Sequence, residues 1–301
     1  MTLIVAGANT QFAFLVSDRR FTYLNGTFDD EKNKATYFAL RDVRLLVAFT
    51  GLAELGSFKT SEWLKRALAR AAQPELLIEP TIGRFVDLAS QRFAELPCTA
   101  GFKRLSIVFT GYWLGERPPR WCIFLVSNFQ KEDDGESSEA QEVFSATRRV
   151  ELRPHNQEAH SVLMAGARHS SMRPALLTIG ELMKTRRPPA AVIGKAVNTI
   201  QEAAERSQGK GSIGSQCNSI YLLRENPGGA IAEYHSVAAK NVTYMPDSVI
   251  LDGRMALINT GPRIEAFNAD GTARPLAIPR VHRNSPCPCG SGKKYRECCK
   301  K

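Results

Sequence analysis

The sequence predicts an α+β fold in which pairs of helices cover stacked antiparallel sheets. Short β-rich segments contain apolar residues that alternate or run together, and four longer segments repeat apolar residues at helical spacing. These segments follow one another as strands, two helices, strands, two helices and a strand. Because the helices come in consecutive pairs and do not alternate with strands, layered antiparallel sheets are favoured over parallel βαβ units.

The predicted strands are short apolar segments bounded by turn residues, and "NTQ" between the first two is a hairpin signal. Two more short strands are predicted in "DSVILDG" and "RMALINTG", within a Gly/Pro-rich region from Asn226 to Pro279. The main predicted strands are Thr2–Ala8, Phe12–Asp18, Ala35–Leu40, Val43–Thr50, Leu105–Tyr112, Trp121–Asn128, Ser161–Ala165 and Cys217–Leu223.

The predicted helices are four segments with an apolar stripe at helical spacing. In the first, Leu64, Ala67, Leu68 and Ala71 form the stripe, and Pro74 follows its end. Pro188-Pro189 suits the first turn of the last helix. The predicted ranges are 52–72, 81–96, 171–184 and 189–206.

Composition excludes several classes of protein. The 301 residues are 43% hydrophobic and 23% charged, which is typical of a globular chain, and no apolar run approaches the roughly 18 residues of a membrane span. "LIVAGA" is too short for a signal peptide, so the cytoplasm is the expected compartment. The net charge of +10 fits an anionic partner, such as nucleic acid, or solubility alone.

Thr2 follows Met1 directly, and an initiator methionine is normally removed before a residue as small as threonine. Removal would leave Thr2 with a free α-amine beside its own hydroxyl. Such an amine can take the hydroxyl proton and so activate the oxygen as a nucleophile. Its usual pKa is about 7.7–8.0, so a modest decrease makes it a base near neutral pH.

The surrounding residues resemble the proteasome β subunits and HslV, which are N-terminal nucleophile hydrolases. Counted from Thr2, Asp18 in "SDRR" and Lys34 in "NKATYF" fall on that family's acidic and lysine positions, and Gly51 in "VAFTGLAELG" falls on its oxyanion glycine. The resemblance covers about Thr2–Leu223 and implies a four-layer αββα sandwich, a homo-oligomer that can be a ring, and a peptide substrate. It implies that Thr2 is the nucleophile, with Lys34 and Asp18 tuning it.

Two stretches depart from the family pattern. In "AGARHSS", Ala167 stands where the family has a serine of the proton relay. The loop "RSQGKGSIGSQCN" has no acid; Ser207 or Gly209 stands near the place of the family's aspartate, and Ser212 near that of its serine. A catalytically degenerate, non-hydrolytic scaffold is therefore the main alternative to a threonine peptidase.

The last fifteen residues hold four of the seven cysteines, within "CPCGSGKKYRECC". Four thiolates in so short a span can close a tetrahedral zinc site with no open position, which makes the zinc structural. The segment resembles the SEC-C motif of the SecA translocase ATPase, which implies docking of a protein partner such as a chaperone or the ribosome. The predicted ligands are Cys287, Cys289, Cys298 and Cys299.

Together these patterns predict three parts: a hydrolase-like domain over 2–225, a β-rich extension and linker over 226–280, and a zinc-binding motif over 283–301. The predicted activity is amide hydrolysis through a Thr2 acyl-enzyme. Two alternatives stay open, namely the degenerate scaffold acting through its zinc tail, and a nucleic-acid or ribosome binder that uses the basic tail.

Overall fold

The protein is described by a computed structural model, in which four helices and nineteen strands are formed within the described ranges. The described residues are 2–22, 27–30, 32–73, 75–130, 139–151, 159–166, 172–207, 213–236, 242–252, 255–260, 263–268 and 273–274. The helices are α1 (Thr60–Ala72), α2 (Ile78–Ala94), α3 (Arg173–Lys184) and α4 (Pro189–Arg206).

The first sheet has six strands, and every neighbouring pair in it is antiparallel. Its strands, in spatial order, are β12 (His160–Gly166), β1 (Leu3–Asn9), β2 (Phe12–Asp18), β13 (Cys217–Leu223), β14 (Ala230–His235) and β15 (Val242–Tyr244).

The second sheet has nine strands, of which β5 and β16 form the one parallel pair among its described strands. Two small hairpins lie outside both sheets, β3 (Phe21–Thr22) with β4 (Phe28–Asp29) and β7 (Glu54–Leu55) with β8 (Phe58–Lys59). The second sheet runs in the spatial order β11 (Ser145–Val150), β10 (Arg120–Ser127), β9 (Leu105–Trp113), β6 (Val43–Gly51), β5 (Ala35–Ala39), β16 (Asp247–Asp252), β17 (Met255–Thr260), β18 (Arg263–Asn268) and β19 (Ala273–Arg274).

Three clusters of buried apolar residues account for the layering. One lies between the inner faces of the two sheets, one lies between the second sheet and α1 and α2, and one lies between the first sheet and α3 and α4. The alternation along β2 shows how one strand serves two cores: Ala13 and Leu15 face the other sheet, whereas Phe14 and Val16 face the helices. The α+β class predicted from the sequence is confirmed.

The predicted bounds of α4 and β13 are confirmed, but the predicted start of α1 at Leu52 is wrong. The helix begins at Thr60 because the residues before it form the β7–β8 hairpin. Gly56 takes a left-handed backbone conformation in its turn, with φ +57°, and the Thr60 hydroxyl donates to the carbonyl of Leu52 at 2.6 Å. The polar strand β11, with sequence SATRRV, has no apolar alternation and was not predicted.

The strands after Asn226 take part in both sheets. β14 and β15 extend the first sheet. β16 pairs with β5 of the second sheet, and β17, β18 and β19 continue that sheet beyond β16. Leu251 and Ile258 from this region are buried in the core that α1 and α2 cover, and Lys65 on α1 forms an ion pair with Asp247 at the start of β16. Within the described ranges, no helix is long and apolar enough to cross a membrane.

If β16 is part of the core that α1 and α2 cover, neighbouring residues on its two faces will differ sharply in their contribution to the free energy of unfolding. Leu251 is buried, whereas Ile250 is 37% exposed. We expect Leu251→Ala to lower the free energy of unfolding by about 2–5 kcal/mol, because it leaves a cavity in the core. We expect Ile250→Ala to lower it by about 1 kcal/mol or less. Urea unfolding of both variants measures this, and equal effects would show that β16 does not share the core.

Candidate active site around Thr2

Thr2, Asp18 and Lys34 meet where the two sheets converge. Thr2 precedes β1 and Asp18 ends β2, so these neighbouring antiparallel strands bring both residues to the same end of the first sheet. Lys34 directly precedes β5 of the second sheet. The structure thus brings together three of the four predicted catalytic residues, which are separated in sequence but share this one end of the molecule.

The Lys34 ammonium has three oxygen acceptors around it. Its Nζ lies 2.5 Å from Thr2 Oγ1, 2.6 Å from Asp18 Oδ1 and 2.6 Å from the carbonyl oxygen of Arg20. An ammonium has three donor protons and no acceptor, so three oxygens satisfy its charged form completely. All three side chains are buried, with Thr2 5% exposed, Lys34 2% and Asp18 0%. The Thr2 oxygen therefore lies against a positive charge that is shielded from water.

Burial and charge pairing oppose each other at this ion pair. Burial lowers the pKa of Lys34 and raises the pKa of Asp18, because removal from water disfavours both charged forms. The attraction between the two groups acts in the opposite direction on each of them. Cys217, paired with Asp18 across β2 and β13, has a thiol whose pKa burial raises, so it stays protonated beside the pair.

Asp18 is held in place by backbone donors as well as by Lys34. Its Oδ2 accepts the Leu3 N–H at 3.0 Å, and its Oδ1 accepts the Arg20 N–H at 3.1 Å. The Leu3 contact joins the carboxylate directly to the residue that follows Thr2. Asp18 therefore fixes the position of Lys34 and of the start of β1 at the same time.

The main chain of Thr2 is enclosed by two residues that the sequence analysis did not single out. Thr50 Oγ1 donates to the Thr2 carbonyl oxygen at 2.8 Å. Gly166 has φ +99°, and a Cβ at that position would lie 1.8 Å from the same oxygen. The glycine is required because the two backbones touch. The available signals were a threonine before the predicted oxyanion glycine and a glycine at a strand end, and neither is specific.

Gly51 follows Thr50 at the end of β6, next to this cluster. Its φ is +114°, and a Cβ there would lie 2.0 Å from the carbonyl oxygen of Arg104. Close packing against β9 thus accounts for glycine at this position, independently of any catalytic role. The predicted oxyanion contact of Gly51 stays a prediction.

The structure says less about the other residues that the sequence analysis singled out. Ser207 caps α4, where its hydroxyl donates to the carbonyl of Ala204 at 2.9 Å. Ala167 and Ser212 lie outside the described residues, as do Cys287, Cys289, Cys298 and Cys299. In the part of the chain that is described, no group of three or more His, Cys, Asp or Glu side chains is arranged to hold a metal ion.

Comparison with known proteins identifies the tail. Residues 283–301 match the SEC-C motif family, which confirms that part of the sequence prediction. The SecA translocase subunit of Neisseria meningitidis serogroup A is 39% identical over 92 residues, which are 29% of this chain and 9% of that protein. SecA of Thermodesulfovibrio yellowstonii is 52% identical over 40 residues, which are 13% of this chain and 4% of that protein. The chain therefore matches less than a tenth of the length of these relatives.

Two solved structures resemble the chain more broadly but loosely. Anbu (ancestral beta-subunit) from Yersinia bercovieri aligns with a TM-score of 0.48 at 13% identity, over 73% of this chain and 81% of that one. An Anbu (Gly-1) mutant from Hyphomicrobium sp. strain MC1 aligns with a TM-score of 0.47 at 11% identity, over 81% of this chain and 88% of that one.

The buried pair of Lys34 and Asp18 predicts a strong energetic coupling. Asp18→Asn leaves the Lys34 charge buried without its partner, so we expect it to lower the free energy of unfolding by about 3–5 kcal/mol. Combining it with Lys34→Met removes both charges, and the double variant should lose much less than the sum of the single losses. Denaturant unfolding of the cycle measures the coupling.

The exposed pair of Glu202 and Arg206 on α4 is the control for this cycle, and Glu202→Gln should cost about 0.5 kcal/mol or less. An Asp18→Asn loss no larger than this control would contradict a buried ion pair at the site.

Proposed function

We propose that this protein is an N-terminal threonine hydrolase that cleaves amide bonds of peptides through a Thr2 acyl-enzyme. The observation that carries the proposal is the 2.5 Å contact between Lys34 Nζ and Thr2 Oγ1, with Asp18 holding Lys34 from the other side. Two charged groups buried beside a hydroxyl are costly to keep for structure alone, and such clusters occur preferentially at functional sites.

In the proposed reaction, removal of Met1 exposes the α-amine of Thr2, which accepts the proton of the Thr2 hydroxyl as the oxygen attacks the substrate carbonyl. The tetrahedral intermediate collapses, its C–N bond breaks, and the leaving amine takes the proton from the α-ammonium. Water, activated by the same amine, then hydrolyses the ester and restores the hydroxyl. The positive charge of Lys34 favours the neutral form of the amine, because like charges disfavour its protonation.

The charged form of Lys34 also stabilises negative charge that develops on Thr2 Oγ1 during attack. Asp18 keeps Lys34 charged and oriented through the ion pair. The N–H of Gly51 is the proposed donor to the oxyanion, a contribution of roughly 3–4 kcal/mol in comparable sites.

The proposed architecture is the four-layer αββα sandwich of the N-terminal nucleophile class, formed by the two sheets and the two helix pairs. We propose the organisation predicted above, with a hydrolase domain over 2–225, a β-rich extension over 226–280 that adds strands to both sheets, and the tail over 283–301. A homo-oligomer, with a ring as one form, and a cytoplasmic site of action belong to the same proposal.

The tail is proposed to bind one structural zinc ion and to dock a protein partner such as a chaperone or the ribosome. The match to the SEC-C motif supports this, together with four cysteines that can supply a closed tetrahedral set of thiolates. Since a segment of this size has little core of its own, zinc binding would supply its folding free energy.

A catalytically degenerate scaffold is the second candidate function. The observation that favours it is the missing acid between Ser207 and Ser212, together with Ala167 at the place of the family's serine. In that case the body would serve assembly, and the zinc tail would carry the activity of the protein through its partner.

A threonine-directed β-lactone tests the nucleophile. We expect one covalent adduct per chain, located on Thr2 by peptide mass spectrometry, and none in Thr2→Ala. Lys34→Met should slow adduct formation by about a hundredfold or more, because it removes the charge beside the attacking oxygen. Thr178→Ala, which changes an exposed threonine on α3, should leave the rate unaltered and serves as the control.

Adduct formation that survives in Thr2→Ala, or that Lys34→Met leaves unchanged, would contradict the proposed mechanism. A wild-type protein that forms no adduct with β-lactones or epoxyketones, although Thr2 is its amino-terminal residue, would favour the scaffold.

Zinc content tests the tail separately. Metal analysis of the purified protein should give about one zinc per chain. Replacing Cys298 and Cys299 by serine should abolish tight zinc binding, because two of four thiolate ligands are lost. Cys98→Ser, in the body of the protein, should retain the metal. Equal zinc in the tail variant and in the wild type would overturn the ligand assignment.

A further inference from the structure

Three hydroxyl-bearing residues lie side by side across the second sheet. Thr50 on β6 is paired with Ser106 on β9, and Ser106 is paired with Ser127 on β10. All three are buried, with 2% exposure at most. On each strand, the residue two positions away belongs to the core between the sheets, so the side chains of this row also face the first sheet. The row lies at the end of the sheet where Thr2 is found, since Thr50 contacts Thr2.

Ser127 fixes the chain that follows β10. Its Oγ accepts the N–H of Phe129 at 3.1 Å and the N–H of Gln130 at 2.9 Å. A hydroxyl oxygen has two lone pairs, and these two N–H groups occupy both of them. The Ser127 proton is therefore left for the contact with Ser106 Oγ at 2.6 Å. The position of the Gln130 main chain is therefore set by the hydroxyl row.

The Gln130 side chain reaches across to the first sheet and binds the backbone of Gly166 at both polar groups. Its Nε2 donates to the Gly166 carbonyl oxygen at 3.0 Å, and the Gly166 N–H donates to its Oε1 at 3.2 Å. Gln130 is 3% exposed, so the two bonds are shielded from water. Gly166 in turn packs its Cα against the Thr2 carbonyl, which leaves no room for a Cβ.

The Thr2 carbonyl is thus held from two sides. Thr50 binds it directly with a hydrogen bond of 2.8 Å, and Gln130 fixes the glycine that packs against it. Both contacts come from residues of the second sheet or the chain just after it, whereas Gly166 ends β12 of the first sheet and Thr2 directly precedes β1 of that sheet.

We propose that Gln130 and Thr50 are positioning residues for Thr2, and that they form an inter-sheet clamp with Ser106, Ser127 and Gly166. The inference rests on the proposed nucleophilic role of Thr2. The clamp fixes the main chain of a residue that supplies both the nucleophile and, through its own α-amine, the base. A displacement of that main chain moves both groups away from Lys34, and a shift of about 1 Å in a reacting group can cost about a hundredfold in rate.

The first test is the kinetics of β-lactone acylation in variants that remove one bond at nearly constant volume. Thr50→Val and Gln130→Met should each lower kinact by about tenfold to a hundredfold with KI nearly unchanged, because the probe still binds while the nucleophile is misplaced. Thr50→Ser keeps the donor and should retain most of the rate. The control is Gln73→Met, which makes the same substitution at the end of α1, in the helix pair that covers the second sheet. It should change neither kinact nor KI.

A second variant separates positioning from a merely structural role. In Gln130→Glu, a protonated carboxylic acid can reproduce both bonds to Gly166, whereas an ionised carboxylate loses the donor and faces the Gly166 carbonyl oxygen. The rate relative to wild type should therefore fall as pH rises through the pKa of the new carboxyl group, while the relative rate of Gln130→Met stays flat. A flat Gln130→Glu ratio, or unchanged kinact in Thr50→Val and Gln130→Met, would overturn the clamp.

A readout that needs no activity keeps this inference distinct from the proposed function. If the wild-type protein is not acylated, the proposed function fails, and hydrogen exchange of the Leu3 amide, measured by NMR, then decides the clamp. Exchange about tenfold faster in Gln130→Met than in Gln73→Met would support it, because the start of β1 would be loosened. Equal exchange rates in the two variants would overturn it.

Discussion

The buried ammonium of Lys34 makes the hydrogen bonds that hold the site together. It joins its own segment, before β5, to two other places in the chain, since it binds the Thr2 hydroxyl before β1 and the Asp18 carboxylate and Arg20 carbonyl at and just after the end of β2. A lysine this buried is stable only if every donor has an acceptor, so its position constrains all three partners. The ends of β1 and β2 and the chain before β5 must therefore meet at one point.

Glycine and hydroxyl residues allow the two sheets to come this close around Thr2. Gly166 has a positive φ and lies against the Thr2 carbonyl oxygen and the Thr50 hydroxyl of the other sheet, where any Cβ would overlap both. Thr50, Ser106 and Ser127 carry polar groups into the inter-sheet space, and the partners that are described for each make that burial tolerable. Farther along the same strands, the space between the sheets is filled by apolar side chains.

The grouping of Thr2, Asp18 and Lys34 was predicted from the resemblance to the N-terminal nucleophile hydrolases, because these three residues match that family's spacing within the first forty residues. Gln130 was not predictable. Its partner Gly166 is 36 residues away, on a strand of the other sheet, and no local pattern distinguishes this glutamine. The place of β16 beside β5 is a similar case, because its sequence predicts a strand but not which strand it pairs with. The start of α1 was mispredicted because apolar residues continue through the β7–β8 hairpin.

If Thr2 acts through its own α-amine, that amine must be free, and the intact mass of the untagged protein, purified without proteolysis, tests this. We expect the mass of a chain whose amino-terminal residue is Thr2, with a free α-amine that amine-directed labelling detects. A mass that retains Met1, or a blocked Thr2 amine, would contradict it, because the hydroxyl would then have no base of the proposed kind.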